Sequence, residues 1–180
     1  MSVRALCLGV VAVLKGVLND PDGKLVGYQE SGRPPPRCGQ SYYAVSAAGS
    51  RSDAADANRD ERTFDVSVTI THRTAYAPAD RRGKEASKAE PDAALTLADE
   101  IPGYFVGRWE PLLAANALIA GAGTATNGFV EPFQSASVGD LEEPPADWLG
   151  GSPGGGEAGV QVIRITLSGA RRIRLLGTIS

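Results

Sequence analysis

Residues 63–71, Thr-Phe-Asp-Val-Ser-Val-Thr-Ile-Thr, alternate without a break between polar and apolar side chains, and His72-Arg73 follow. Successive side chains of a strand point to opposite faces, so Phe64, Val66, Val68 and Ile70 fall on one face and Thr63, Asp65, Ser67, Thr69, Thr71 and Arg73 on the other. A period of two over this length excludes a helix here. One covered face and one polar face is the arrangement that an antiparallel sheet permits and a parallel sheet seldom does. His72 has the parity of the apolar face, at its far end, and is read as a rim histidine.

The strand needs a covering layer, and the N-terminus supplies one. Val3, Leu6, Cys7, Val10, Val13, Leu14, Val17 and Leu18 recur at spacings of three and four, which places them on one helical stripe. Ser2 is the expected cap, and Asn19-Asp20-Pro21 the stop. Lys15 interrupts the apolar run, and no small-residue cleavage site follows directly, so the segment reads as a core-packing helix rather than a secretion signal. Cys7 lies on the buried stripe. No segment reaches the roughly 18–20 apolar residues of a spanning helix, and no membrane association is expected.

The remaining strands and a second helix follow by composition. Ser41 to Ala48 carries the β-formers Tyr42, Tyr43 and Val45. Residues 93–120 hold Leu95, Leu97, Tyr104, Phe105, Trp109, Leu112, Leu113 and Leu118 in a helical pattern that Pro102 and Pro111 must break or kink. Trp109, Leu112 and Leu113 are read as a core stripe. Phe129 to Val138 reads as a strand broken at Pro132. Residues 159–167 and 171–179 read as a terminal hairpin turning at Gly169. Gly and Pro are numerous, 22 and 12 in 180 residues, and mark long loops at 19–41, 49–60, 75–92 and 140–159. Residues 33–37 carry three consecutive prolines and are read as a stiff extended crossover. The expected fold is one α+β domain over 1–180, a mostly antiparallel sheet with two helices packed on one face.

Little in the sequence points to catalysis. One histidine and two cysteines leave few ligands for a zinc site. There is no phosphate loop, dinucleotide fingerprint, nucleophile elbow or paired-cysteine motif. A serine or cysteine triad would have to recruit His72. No enzyme, cofactor or metal is expected. The net charge of −3 gives no reason to expect nucleic-acid binding by charge alone.

Charge is instead segregated along the chain. Between Trp109 and Ile163 there is no Lys or Arg, while Glu110, Glu131, Asp140, Glu142, Glu143, Asp147 and Glu157 are acidic. From Arg164 onward the sign reverses, with Arg171, Arg172 and Arg174 and no acid. A second basic run, Arg81-Arg82-Gly83-Lys84, lies in the 75–92 loop. Opposite patches of this kind suit contacts between copies of one chain. The candidate interface residues are therefore Arg81, Arg82, Lys84, Arg171, Arg172, Arg174, Glu142 and Glu143.

The opening helix, Pro34-Pro35-Pro36 with Gly39-Gln40-Ser41-Tyr42, and the strand from Asp65 to Arg73 running into Ala77-Pro78-Ala79-Asp80-Arg81-Arg82-Gly83 form a recurrent layout. In this order the chain resembles the tail terminator, or tail-to-head joining, proteins of long-tailed bacteriophages. The acidic Gly/Pro-rich stretch 140–159 departs from that pattern. The resemblance implies a homo-oligomer, a hexameric ring that caps the tail tube and joins it to the head–neck connector. DNA would pass through the lumen without sequence-specific contact. It implies a virion protein of the tail or neck, assembled in the bacterial host cytoplasm. Another neck protein, such as a head-completion ring or connector adaptor, and a monomeric surface binding module are the alternatives.

Overall fold

The computed structural model describes residues 2–32, 41–56, 59–73, 98–119, 127–140, 142 and 160–175. The elements are α1 (Ser2–Val17), β1 (Val26–Tyr28), β2 (Ser41–Asp56), β3 (Arg59–Arg73), a 3₁₀ turn (Ile101–Tyr104), α2 (Glu110–Ala117), β4 (Phe129–Glu131), β5 (Ser135–Val138) and β6 (Val160–Leu175). The class is α+β. A six-stranded sheet runs β1-β2-β3-β6-β4, with β5 also on β6. Every pairing is antiparallel except β1 with β2.

The alternating strand is the middle of that sheet. β3 pairs with β2 on one side and β6 on the other over nearly its whole length. The register builds rows three residues wide. Tyr43, Ile70 and Ile163 form one, Val45, Val68 and Ile165 the next, and Ala47, Val66 and Leu167 a third. The intervening rows, Ala44-Thr69-Arg164 and Ser46-Ser67-Thr166, point to the opposite face. Val45, Val66, Val68, Ile70, Ile165 and Leu167 are fully buried and form one core cluster with Leu6, Cys7, Val10 and Leu14 of α1.

The polar face is less open than alternation alone suggests. Thr63, Ser67, Thr69 and Thr71 are buried as well. They are short side chains on a central strand, and Gly32 approaches this face: a Cβ there would lie 3.4 Å from Ser46 Oγ and 3.9 Å from Thr69 Oγ1. Their burial carries a cost where no partner is found: Ser67 Oγ and Thr71 Oγ1 have none among the described residues.

Three expectations are corrected. Residues 49–56 are not a loop but the outer half of β2, and 59–60 are the first residues of β3. Their small, polar composition mimics a loop because this ribbon has little core to face: Ala47 to Ser52 are exposed. The terminal hairpin is a single strand, β6, and Gly169 is a bulge within it. Leu167 pairs with Val66 and Ala170 with Phe64, so one extra residue is accommodated there. Gly169 adopts φ +94, and its N–H donates to Asp65 Oδ1 at 3.1 Å. The bulge moves the apolar phase from odd to even residues, which in sequence looks like a turn between two strands. The second helical region is broken, as expected, within its described residues 98–119. Residues 98–100 are helical, then come the 3₁₀ turn and the eight residues of α2, divided as Pro102 and Pro111 require. Ser2 lies inside α1 rather than flanking it, so it is not the cap.

The turn out of α1 is fixed by one carboxylate. Asn19 takes φ +50, and Asp20 Oδ1 accepts from the Lys24 N–H at 2.9 Å. Asp20 Oδ2 accepts from Leu25 and Val26 at 2.8 and 3.1 Å. Burial works to raise the Asp20 pKa, but these backbone donors and the Lys15 ammonium outweigh it and hold the carboxyl below its usual range. The same carboxylate therefore ends α1 and starts β1. Pro132 breaks the opposite edge as expected. Phe133 turns inward and is fully buried, its backbone bridged to Val106, before β5 resumes on β6.

The two helices touch at a glycine. A Cβ on Gly9 would lie 2.1 Å from the Pro111 carbonyl oxygen and 3.1 Å from the Ala115 nitrogen, both backbone atoms of α2. Gly16, on the same helix, has nothing within 4 Å. Gly9→Ala should therefore push the helices apart and destabilise by at least about 2 kcal/mol. Gly16→Ala should stabilise by about 0.5–1 kcal/mol, since alanine is the better helix former. Chemical denaturation of the two variants checks both signs, and a Gly9→Ala protein as stable as the parent would contradict the helix contact.

Candidate functional site

The three C-terminal arginines were expected to act as one basic run. Strand alternation divides them. Arg171 has Thr63 and Glu131 opposite it in register. It forms ion pairs with Glu131 and, at 3.5 Å, with Glu61, which also binds Arg59. One pair joining the acidic middle of the chain to its basic end is therefore made within a single chain. Its members are about half to seven-eighths sheltered, so the network holds β4, β6 and β3 together more firmly than a fully exposed pair would.

Arg172 and Arg174 point to the other face. Arg172 lies opposite Arg62, and Arg174 opposite Asp60. Ser2, Asp60, Arg62, Phe64, Arg172 and Arg174 line one cavity of about 90 Å³. The Phe64 ring closes one side and packs edge-on against Phe129, with centroids 5.7 Å apart. Arg62 Nε bonds both carboxylate oxygens of Asp60, at 3.3 and 3.1 Å. Arg172 reaches only Asn127 Oδ1, at 3.5 Å, and its Nε is a buried donor without a partner among the described residues. Arg174 is exposed and makes no ion pair among them. Burial, and secondarily Arg174, lowers the Arg172 pKa from its ordinary value, while Asp60 opposes the shift. A guanidinium nonetheless stays charged at neutral pH.

Of the other candidate residues, Glu142 is exposed, and its backbone bridges to Val162 at the start of β6. Arg81, Arg82, Lys84 and Glu143 lie outside the described residues. So do the triple proline, Cys38 and the 75–92 loop. His72 stands at the end of β3, in register with Ser41 and Gln161. No group of three or more His, Cys, Asp or Glu able to hold a metal ion occurs among the described residues. No helix among them is long and apolar enough to cross a membrane.

Asp60 and Arg62 are not site candidates in the sequence, because 49–60 reads as a loop and the alternating strand is read only from Thr63. The signal was present. Asp60-x-Arg62-x-Phe64 continues the alternation of β3 downward, and Arg172-x-Arg174 has the matching spacing on β6. A second depression, about 250 Å³, lies on the opposite face among Ser46, Ser67, Thr69, Arg164 and Thr166. The expected core stripe on the second helix is corrected as well. Leu112 is fully buried, but Trp109 is 49% and Leu113 64% exposed, beside exposed Tyr104 and Leu118. An eight-residue helix packed through Pro111, Leu112 and Ala115 has no room to bury more.

Neither a family model nor a curated protein matches the chain.

Cys7 is fully buried, and burial pushes its thiol from an ordinary 9.0 up to about 12, against a smaller backbone hydrogen-bond effect. It is not a nucleophile in the folded state. The unfolded chain releases this proton near pH 9 and the folded chain does not, so stability is full below that pH and falls as pH rises toward 12. Tyr43, also raised by burial, adds to the same slope. Denaturation followed from pH 7 to 11 should show stability falling above about pH 9, with a shallower fall in Cys7→Ala. An equal slope in that variant would contradict the burial of the thiol.

Proposed function

We propose that the chain is a structural protein of a phage tail or neck: a terminator-like subunit that assembles into a hexameric ring, caps the tail tube and joins it to the head–neck connector. DNA crosses the lumen without sequence-specific contact. The protein works in the virion after assembly in the host cytoplasm, as scaffold rather than enzyme. Its two helices share one face of the sheet, a reading supported by their close approach at Gly9 and by the single core cluster to which both contribute.

The observation that carries this proposal is the exposed apolar group on the 104–118 segment. Tyr104, Val106, Trp109, Leu113 and Leu118 leave between 37% and 64% of their surface in solvent. Grouped exposure of large apolar side chains marks a surface meant for a partner. β2 from Ala48 to Ser52 is exposed and mostly polar, and it has a different chemistry. Two unlike surfaces on one subunit favour head-to-tail contact, which closes into a ring when the rotation permits.

Native mass spectrometry of the purified chain should give a hexamer. Trp109→Asp with Leu113→Glu should shift it to smaller species while leaving the thermal transition within a few degrees. A parent protein that stays monomeric at high concentration would contradict the proposal and favour a monomeric binding module. A ring of another size would favour a different neck protein.

A further inference from the structure

The arginine-lined cavity at the N-terminal end of α1 is unbalanced in charge. Its charged lining is three guanidinium groups against one carboxylate. That carboxylate, Asp60, is already held in both oxygens by Arg62. Arg172 and Arg174 lie two residues apart on one strand, so they point to one face and repel each other. Like charges gathered without enough counter-charge favour an added anion. Ser2 opens α1, so the cavity also lies at the positive end of a 16-residue helix, where backbone N–H groups lack intrahelical partners.

We propose that this cavity binds a phosphate group, gripped by Arg172 and Arg174 and placed at the positive end of α1. The cavity, about 90 Å³, is large enough for a small tetrahedral oxyanion. Guanidinium groups match phosphate oxygens in pairs, and a helix N-terminus adds donors to the same charge. The phosphate is either free or the terminal group of a larger molecule whose remainder stays outside.

The test is a ¹⁵N–¹H shift titration of the full chain with inorganic phosphate, phenyl phosphate, acetate and chloride at matched ionic strength. Phosphate should shift the amides of Arg172, Arg174 and the first turn of α1 saturably. Acetate and chloride should give only small, unsaturating shifts. Arg174→Gln, on an exposed side chain, should weaken phosphate binding about tenfold with the fold intact. Arg172→Gln should abolish it, and if that variant does not fold the Arg174 variant still decides. Tighter binding of phosphate than of phenyl phosphate supports a free-ion site, and equal or tighter binding of the ester supports a phosphorylated ligand. The absence of saturable shifts with either phosphate, equal saturation by acetate, or unchanged affinity in Arg174→Gln would overturn the proposal.

Discussion

Everything described in this molecule depends on β3 being paired on both sides. A strand in that position has no free edge, and its alternation dictates which residues of both neighbours are buried. β3 keeps one phase from Phe64 to Ile70, and the neighbours adjust to it. β2 shifts register between Ala47 and Gly49, and β6 accommodates its extra residue opposite Asp65. Both irregularities meet at the same level of β3. Bulges bend a strand and sharpen its twist, so this level divides the sheet. On one side lie the rows that pack with α1. On the other lies a ribbon that, past Phe64, Phe129 and Ala170, carries charged residues in place of a core.

That division places the chemistry. If β6 kept its odd-numbered phase, Arg172 and Arg174 would point to the same face as Thr69 and Ser67. The bulge at Gly169 moves them to the face of Phe64, where α1 begins. Arg171 moves the other way and is neutralised by Glu61 and Glu131. A single glycine in a left-handed conformation thereby separates a structural arginine from two available ones. A side chain at Gly169 would also meet Gln134, 3.0 Å away, so the bulge requires glycine on two grounds.

Much of the fold was legible in the sequence. The β3 alternation and the α1 stripe identify the central strand and its covering helix, because each uninterrupted period has one structural reading. The break at Pro132 was legible from the missing donor. Errors arose where periodicity and composition disagree. Ser50, Arg51 and Ser52 are strand residues with loop chemistry, since pairing rather than burial holds them. Ser168-Gly169 looks like a turn because a bulge and a hairpin both demand glycine and both reset the phase. Trp109 and Leu113 look like core because apolar spacing alone cannot tell a buried face from one left for a partner. The cavity was half legible: its β6 arginines stood out, but Asp60 and Arg62 required the register.

The placement of both arginines, and with it the cavity, rests on β6 being one strand through Gly169. Amide hydrogen exchange tests this directly, because backbone bonds of a continuous ladder open only with the sheet. Ala170 to Arg174 should exchange nearly as slowly as Ile163 to Leu167, with Val66 to Ile70 of β3 slowest of all. Rapid exchange from Ser168 onward, as in a turn leading to a frayed tail, would contradict the account.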